Sequence, residues 1–446
     1  MKTDLRNATL LLALAGPALA QAPLDLERLL LRLERVEKEN AKLQQELTAL
    51  RNEVRKLQPI SDSSPRTADL EERLDIQERR VSEQAQIKLE SSHRFPIRVT
   101  GMALANVFLN GPHANGLDTP VVASREPGRG TGGLTLRQSV LGLEYSGPAT
   151  ILGGQVRGSI FMDFFDGLSQ TSFGPMRMRT ASIELDWKTR GIAFMQEKPL
   201  IAVRDPSTFS YSGISPLTGS GNLWRWQPQI RFEQRFSLAE QTLFRAQAAF
   251  YQTSEESSYA AVALPELERR RPALQGRFGL EHRWGADRSV EFAAGFHTSQ
   301  THIEGQTLPS RLFMIDWGFQ PWRKIQFAGT FFRGKNIHHF GALRQGFVYV
   351  GNEVYRPVES TGGWGQISIP VHSRLTWNVF GGIHDDRDKD LLPGVVGANL
   401  TGATNLQYRV APNTIVGIEA LQIRSTYIGS GTRLNNRYDL FVAYLF

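Results

Sequence analysis

The sequence predicts an all-β transmembrane β-barrel of about 16 antiparallel strands, preceded by an N-terminal α-helical coiled coil. From Phe95 onward, short segments alternate apolar and polar residues with period two and are separated by Gly, Pro, Asn and Asp turns. The connections between those segments alternate between short and long. Before Phe95 the pattern is different: from Leu26 to Leu57 apolar residues recur at alternating steps of three and four.

Residues 1–20 read as a signal peptide, with Lys2 and Arg6, an apolar run from Thr9 to Ala15, and a small-x-small site at Ala18-Leu19-Ala20 before Gln21. Asp4 is unusual in such a basic region, and a buried amphipathic helix is the alternative. Residues 21–57 form the predicted coiled coil. Leu26, Leu33, Asn40, Leu47 and Val54 take position a of the heptad, and Leu29, Val36, Leu43, Leu50 and Leu57 take position d. Asn40 is polar within the seam and needs a counterpart amide on a partner helix, which fixes register. The alternative is a helix folded back on the barrel or on itself. Two prolines and a serine cluster break the helix over the linker 58–68, and a second helical segment, 69–94, follows with a half-polar seam.

The barrel is expected over 95–446, with strands near 95–109, 134–146, 153–166, 176–188, 190–197, 226–236, 241–253, 271–284, 289–300, 309–320, 322–334, 361–370, 374–384, 397–409, 413–425 and 434–446. WQPQIRFEQRF shows the alternation best. Trp226, Pro228, Ile230, Phe232 and Phe236 share one side, opposite Gln227, Gln229, Arg231, Glu233 and Arg235. The final RYDLFVAYLF has the same form and would be an aggregation hazard as a lone strand, whereas closure of the sheet removes its free edge. Long loops at 110–133, 198–225, 254–270 and 335–360 take turns with short ones, the rim asymmetry of an outer-membrane barrel. A charge aimed at the bilayer midplane costs roughly 2–4 kcal/mol, so the arginines must point inward. For any single strand a soluble antiparallel sheet with one wet face would give the same period.

The chain has no cysteine, so export would leave it without a disulfide. Residues 1–94 hold 16 Lys+Arg and 16 Asp+Glu, which leaves 51 − 16 = 35 basic and 44 − 16 = 28 acidic residues for 95–446. The whole +7 therefore belongs to the barrel segment and suits anionic solutes or lipopolysaccharide; an exported chain rarely meets nucleic acid. Alternation turns Arg157, Arg231, Arg235, Arg245, Arg277, Arg283, Arg374 and Arg409 toward the lumen, with Asp163, Glu233 and Glu281. Pairing of these Arg and Glu neighbours across strands, merely to stiffen the wall, is the competing role. HDDRDKD, 384–390, has carboxylates at calcium-loop spacing but lacks the glycine and distal Glu of such a loop, and reads as a solvated external loop. His338-His339 lies in a loop without metal-ligand partners at helpful spacing. No nucleophile elbow, phosphate-binding glycine loop or zinc signature is present, so no enzymatic role, cofactor or metal is expected.

A signal peptide, an N-terminal coiled coil, a barrel of this size and a final Phe446 together resemble the Gram-negative trimeric outer-membrane porins. The stretch from Ile183 to Phe236, with Asp205-Pro206 in a long loop and the core Gln227-Pro228-Gln229-Ile230-Arg231, is similar to the DcaP-like porin family; the phosphate-selective porins are the near alternative. The resemblance implies a homotrimer in the cell outer membrane with the coil in the periplasm. It implies passive uptake of small anionic, often carboxylate, solutes, and a terminal strand, through Tyr444 and Phe446, read by the outer-membrane insertion machinery. It also implies that the third long loop, here 199–224, folds inward as a constriction, with Arg204, Asp205 and Arg225 as its charged residues; a solvated loop is the alternative. Glu233 and Glu281 among the lumen arginines depart from strict anion selectivity. A structural trimer tethered toward the cell wall, and a general or phosphate-selective pore, remain open as alternatives.

Overall fold

The structure is a computed structural model that describes residues 96–165, 175–211, 213–252, 272–285, 287–303, 305–322, 325–343, 346–351 and 354–446. The predicted signal peptide, coiled coil, linker and second helical segment all lie outside the described residues. The strands are β1 (Ile97–Asn110), β2 (Thr131–Thr135), β3 (Val140–Ile151), β4 (Gly154–Asp163), β5 (Arg177–Asp186), β6 (Arg190–Glu197), β7 (Gln227–Ala239) and β8 (Thr242–Tyr251). They continue with β9 (Ala273–Arg283), β10 (Ser289–Ile303), β11 (Gln306–Trp322), β12 (Ile325–Lys335), the short hairpin β13 (Phe347–Tyr349) and β14 (Tyr355–Pro357), and β15 (Glu359–His372). β16 (Leu375–Asp386), β17 (Val396–Ala411), β18 (Thr414–Tyr427) and β19 (Gly431–Leu445) complete them.

From β3 to β12 and from β15 to β19 each strand pairs antiparallel with the next, β12 pairs with β15 past the separate β13–β14 hairpin, and β1 closes on β19 from Met102↔Leu445 to Asn110↔Arg437. β2 and β3 both pair with β1, at Asn106–Asn110 and Ile97–Met102, so they are two halves of one stave. The result is a closed barrel of sixteen staves with no free edge.

Alternation sorts the side chains as the pleat requires. In the last strand Tyr438, Leu440, Val442 and Tyr444 are exposed and point outward, while Arg437, Asp439, Phe441 and Ala443 are buried within the barrel. The seam is completed by Gly101 N–H donating to the Phe446 carbonyl at 2.9 Å and Phe446 N–H donating to the Gly101 carbonyl at 3.1 Å. Gly101 is required there, because a Cβ would overlap the Val140 carbonyl and come within 2.7 Å of the Phe446 ring. Turns of two or three residues, such as 152–153 and 187–189, lie on one rim, and loops such as 111–130, 198–226 and 336–358 lie on the other.

Every one of the sixteen expected strand segments is present, with three differences. The expected strand 134–146 is broken at 136–139, because Arg137 turns inward to pair with the buried Asp118 at 2.6 Å and the Ser139 hydroxyl takes the Leu104 N–H at 3.0 Å. β10 and β11 extend past their expected ends, to Ile303 and from Gln306, which are register partners. The stretch 384–390 is only partly the solvated loop expected. Asp386 is buried and accepts from the Ser360 hydroxyl at 2.5 Å, and Asp390 is buried and accepts from Arg387 Nε at 2.7 Å.

Candidate functional site: the lumen and its inward loop

β7 sets the pattern of the inner wall. Its outward Ile230, Phe232 and Phe236 are exposed, so Gln229, Arg231, Glu233 and Arg235 face inward. Register carries the same side across the sheet, pairing Arg231 with Ala249, Glu233 with Gln247 and Arg235 with Arg245. Gln247 is opposite Arg277 and Leu243 opposite Glu281, which completes an inward charged surface over β7–β9.

The loop 198–226 leaves β6 and crosses the interior. Near its start Arg231 Nη2 donates to the Lys198 carbonyl at 2.8 Å. Leu200, Ile201 and Ala202 pack with Tyr251, Leu312, Met314 and Phe332 in an apolar cluster. Arg204 then donates to Asp316 of β11 at 3.1 Å and to Glu291 of β10 at 2.6 Å. Farther on, Ser207 accepts from Asn405 through its carbonyl at 2.9 Å, Thr208 donates to Glu419 at 2.5 Å, and the Ser210 carbonyl accepts from Asn106 at 2.9 Å. Ser220 shares a hydrogen bond of 2.7 Å with Thr401, and Trp224 N–H returns to the Phe340 carbonyl at 2.8 Å. The loop therefore lines the inside of the wall from β10 round to β1 and is fastened by buried polar side chains. Such groups are costly to leave unpaired, so each bond opposes release of the loop.

The loop 111–130 covers the same arc. Ser425 donates to Asn399 at 2.6 Å and takes the Ala123 N–H at 2.8 Å, and the Tyr427 hydroxyl donates to the Ala123 carbonyl at 2.8 Å. Beneath both loops, fully buried Arg437 holds Asp439 at 2.6 Å, with its guanidinium 4.6 Å from the Phe108 ring centre and 5.4 Å from that of Tyr211. By contrast, several inward charges of β4–β9 keep contact with solvent. Side-chain exposure is 50% for Arg157, 34% for Arg245 and 28% for Asp186. Among the described residues, the open part of the lumen runs along this arc.

The residues singled out from the sequence fall into three groups. Arg157, Arg231, Glu233, Arg235, Arg245, Glu281 and Arg283 lie on the open arc. Most are paired: Arg157 with Asp186 at 3.7 Å, Arg235 with Asp186 and Glu233, and both Arg245 and Arg283 with Glu281 at 2.9 and 2.5 Å. Arg231 differs. Its bonds go to the Lys198 carbonyl and Gln229 Oε1, and it has no ion pair among the described residues. The second group is engaged with the inward loop or buried beneath it. Arg277 is only 3% exposed and is held by Asp316 and Glu291, so the expectation that it lines open space is corrected by the loop that covers it. Arg204 belongs to the same network, and Asp205 is held by Lys198, Ser215 and Asn222. Asp163 is likewise buried, with Arg177 at 2.7 Å. Arg225 is half-buried on the loop's return, beside Trp224 and Trp226.

The third group lies at the short-turn rim. Arg374 is exposed in the turn between β15 and β16, a correction to its expected lumen position, because the strand begins only at Leu375. Arg409 keeps inward parity but is exposed there and donates to the Pro412 carbonyl at 2.8 Å. Tyr444 and Phe446 face outward.

Sequence reasoning missed Asp186, Glu291, Asp316 and Lys198. The first three occupy inward positions by alternation, so their side of the wall was readable, whereas their arginine partners were not. For Lys198 the sequence gives only its place one residue after a strand. Burial pulls its ammonium down to about 8, against Glu197 and helped by Arg179.

No protein-family model matches the sequence, and no curated protein matches it. Solved structures do match. The outer membrane channel DcaP of Acinetobacter baumannii aligns with a TM-score of 0.66 and 15% identity, over 78% of this chain and 97% of that one. An anion-selective porin from Comamonas acidovorans aligns with a TM-score of 0.52 and 11% identity, over 78% and 99%. The likeness reaches across the whole sheet, and the chain has the sixteen-stranded barrel fold of the outer-membrane porins.

Proposed function

We propose that this chain is an outer-membrane diffusion pore for small solutes, with a preference for anions of the carboxylate type, working as a homotrimer with its N-terminal segment in the periplasm. The observation that carries the reading is the partly exposed inward charge on β4–β9, from Arg157 and Asp186 to Arg245, beside a loop fastened across the rest of the lumen. Solute in that passage meets Arg231, whose planar donors suit a carboxylate and which makes no ion pair among the described residues. A confined positive group raises local anion concentration, and the effect fades as salt screens it.

The preference is modest, because Asp186, Glu233 and Glu281 answer most of the other arginines on the arc. The test is single-channel recording of purified protein in planar bilayers, followed by reversal potentials in a potassium chloride gradient at low salt. Steady conductance with chloride favoured over potassium is expected. Absence of conductance overturns the pore, leaving a structural anchor; cation preference overturns the selectivity alone.

A further inference from the structure

The outer wall carries a cluster of charge that the lumen does not use. Arg311 on β11 and Lys335 on β12 are direct register partners, and Phe313 on β11 is the partner of Arg333 on β12. Their inward neighbours Leu312, Met314 and Phe332 are buried, so Arg311, Arg333 and Lys335 all point outward. Arg311 and Arg333 are exposed, and none of the three cations has an ion pair among the described residues. The acid beside them is already engaged: Glu359, the register partner of Lys335, accepts from Arg387 Nη1 at 2.7 Å.

The position of the cluster along the strands matters. Two residues further into the wall on β11 and β12 stand Phe313 and Phe331, 50% and 44% exposed, with Phe296 on β10 outward at the same side. Two residues advance roughly 6.8 Å along a strand, so the cations form a ledge immediately above aromatic rings that face lipid. β11 enters from the long-loop rim and β12 leaves toward it, so this is the end of the barrel opposite the seam of Gly101 and Phe446. Between them is a cavity of about 460 Å³, lined by Thr298, Arg311, Phe313, Arg333, Lys335 and Glu359 among others.

We propose that this ledge binds the phosphorylated headgroup of an outer-leaflet lipid, with its acyl chains lying over Phe296, Phe313 and Phe331. The chemistry favours that occupant over others. Two guanidiniums and an ammonium converge without an acid of their own, the arrangement suited to a phosphate dianion. Rings directly beneath them suit the chains of an amphiphile, whereas a free anion has no use for them. A soluble protein partner would not place its surface at the level of the bilayer.

The proposal rests on the outer-membrane placement, and the test separates the two. Purified full-length protein in neutral detergent is titrated with diphosphorylated lipid A, its dephosphorylated form, and inorganic phosphate alone, following the temperature at which the compact, heat-modifiable gel band is lost. Lipid A is expected to raise that temperature, with the other two probes giving little change. Arg311→Ala/Arg333→Ala is expected to bind lipid A about tenfold or more weakly, while Arg311→Lys/Arg333→Lys retains most of the response. Should the alanine pair fail to form the compact band, Lys335→Ala supplies the same comparison. Equal response to dephosphorylated lipid reduces the site to apolar contact, and equal response to inorganic phosphate makes it a free-anion site; either overturns the proposal, as does unchanged binding by the alanine pair. Failure of the outer-membrane reading itself shows earlier, as a wild-type protein with no heat-modifiable band.

Discussion

Arg277 on β9 reaches across β10 to grip Asp316 on β11 with two hydrogen bonds of 2.9 Å, and Arg204 from the inward loop joins the same carboxylate at 3.1 Å. One buried acid thus ties two strands and the loop together, and Glu291 adds a second point of attachment to both arginines. Removing the buried acid leaves two arginines sharing Glu291 alone, a loss of at most about 3–5 kcal/mol, the cost of a fully unpaired buried charge. Asp316→Ala is therefore expected to lower the temperature at which the heat-modifiable band is lost and to make single-channel current noisier, because the loop loses its anchor. Arg204→Glu is expected to do the same by setting a third carboxylate beside Asp316 and Glu291. Quiet channels of unchanged stability in both variants would show that the loop is held elsewhere.

Closure of the barrel gives a second test. The paired N–H groups and carbonyls of Gly101 and Phe446 end the seam, and Gly101 has no room for a side chain. Gly101→Val is expected to reduce the yield of heat-modifiable barrel several-fold, since β1 must shift away from Val140 to admit the added atoms. Deleting Phe446 removes the same bonds and the outward ring, and membrane fractions are expected to contain less assembled protein. Equal assembly without Phe446 would leave the seam bonds dispensable.

The barrel was legible because period two tells which side of a wall each residue takes, and every expected strand segment is present. That same rule places Arg277 inward, yet alternation gives a side and never a partner. Asp316 lies 39 residues away and Arg204 reaches Glu291 over 87, separations that only the closed sheet brings together. Arg137 broke an otherwise regular strand for a similar reason: its acid, Asp118, belongs to a loop whose inward path no local pattern reports. Arg374 was misplaced for the opposite reason, since parity continues on paper into a turn where the wall has ended.

The Lys198 ammonium, pulled down to about 8 by burial, titrates within an accessible range. As pH rises through that value the loop loses a positive charge, so chloride preference is expected to fall between pH 7 and pH 9. Lys198→Met is expected to show the lower preference already at pH 7 and to flatten the profile above it. Reversal potentials recorded across that range decide the matter. A step of the same size in the methionine variant would assign the titration to another group.

On the proposed reading, selectivity is expected to follow which cations lack an ion-pair partner, rather than how many arginines face inward. Arg235 and Arg245 are matched by Asp186, Glu233 and Glu281, whereas Arg231 donates only to the neutral Lys198 carbonyl and Gln229 amide. A paired arginine contributes little net field at a distance, because its carboxylate cancels it within a few ångströms. Arg231→Gln is therefore expected to reduce chloride preference at low salt more than Arg235→Gln, although both remove one charge. Arg374→Gln, at the short-turn rim and exposed to bulk salt, is expected to leave the reversal potential nearly unchanged. The difference between the first two variants should shrink as ionic strength rises, since screening weakens the unpaired field first. If all three variants shift the reversal potential equally, total charge rather than pairing sets the preference, and Arg231 has no special place in the passage.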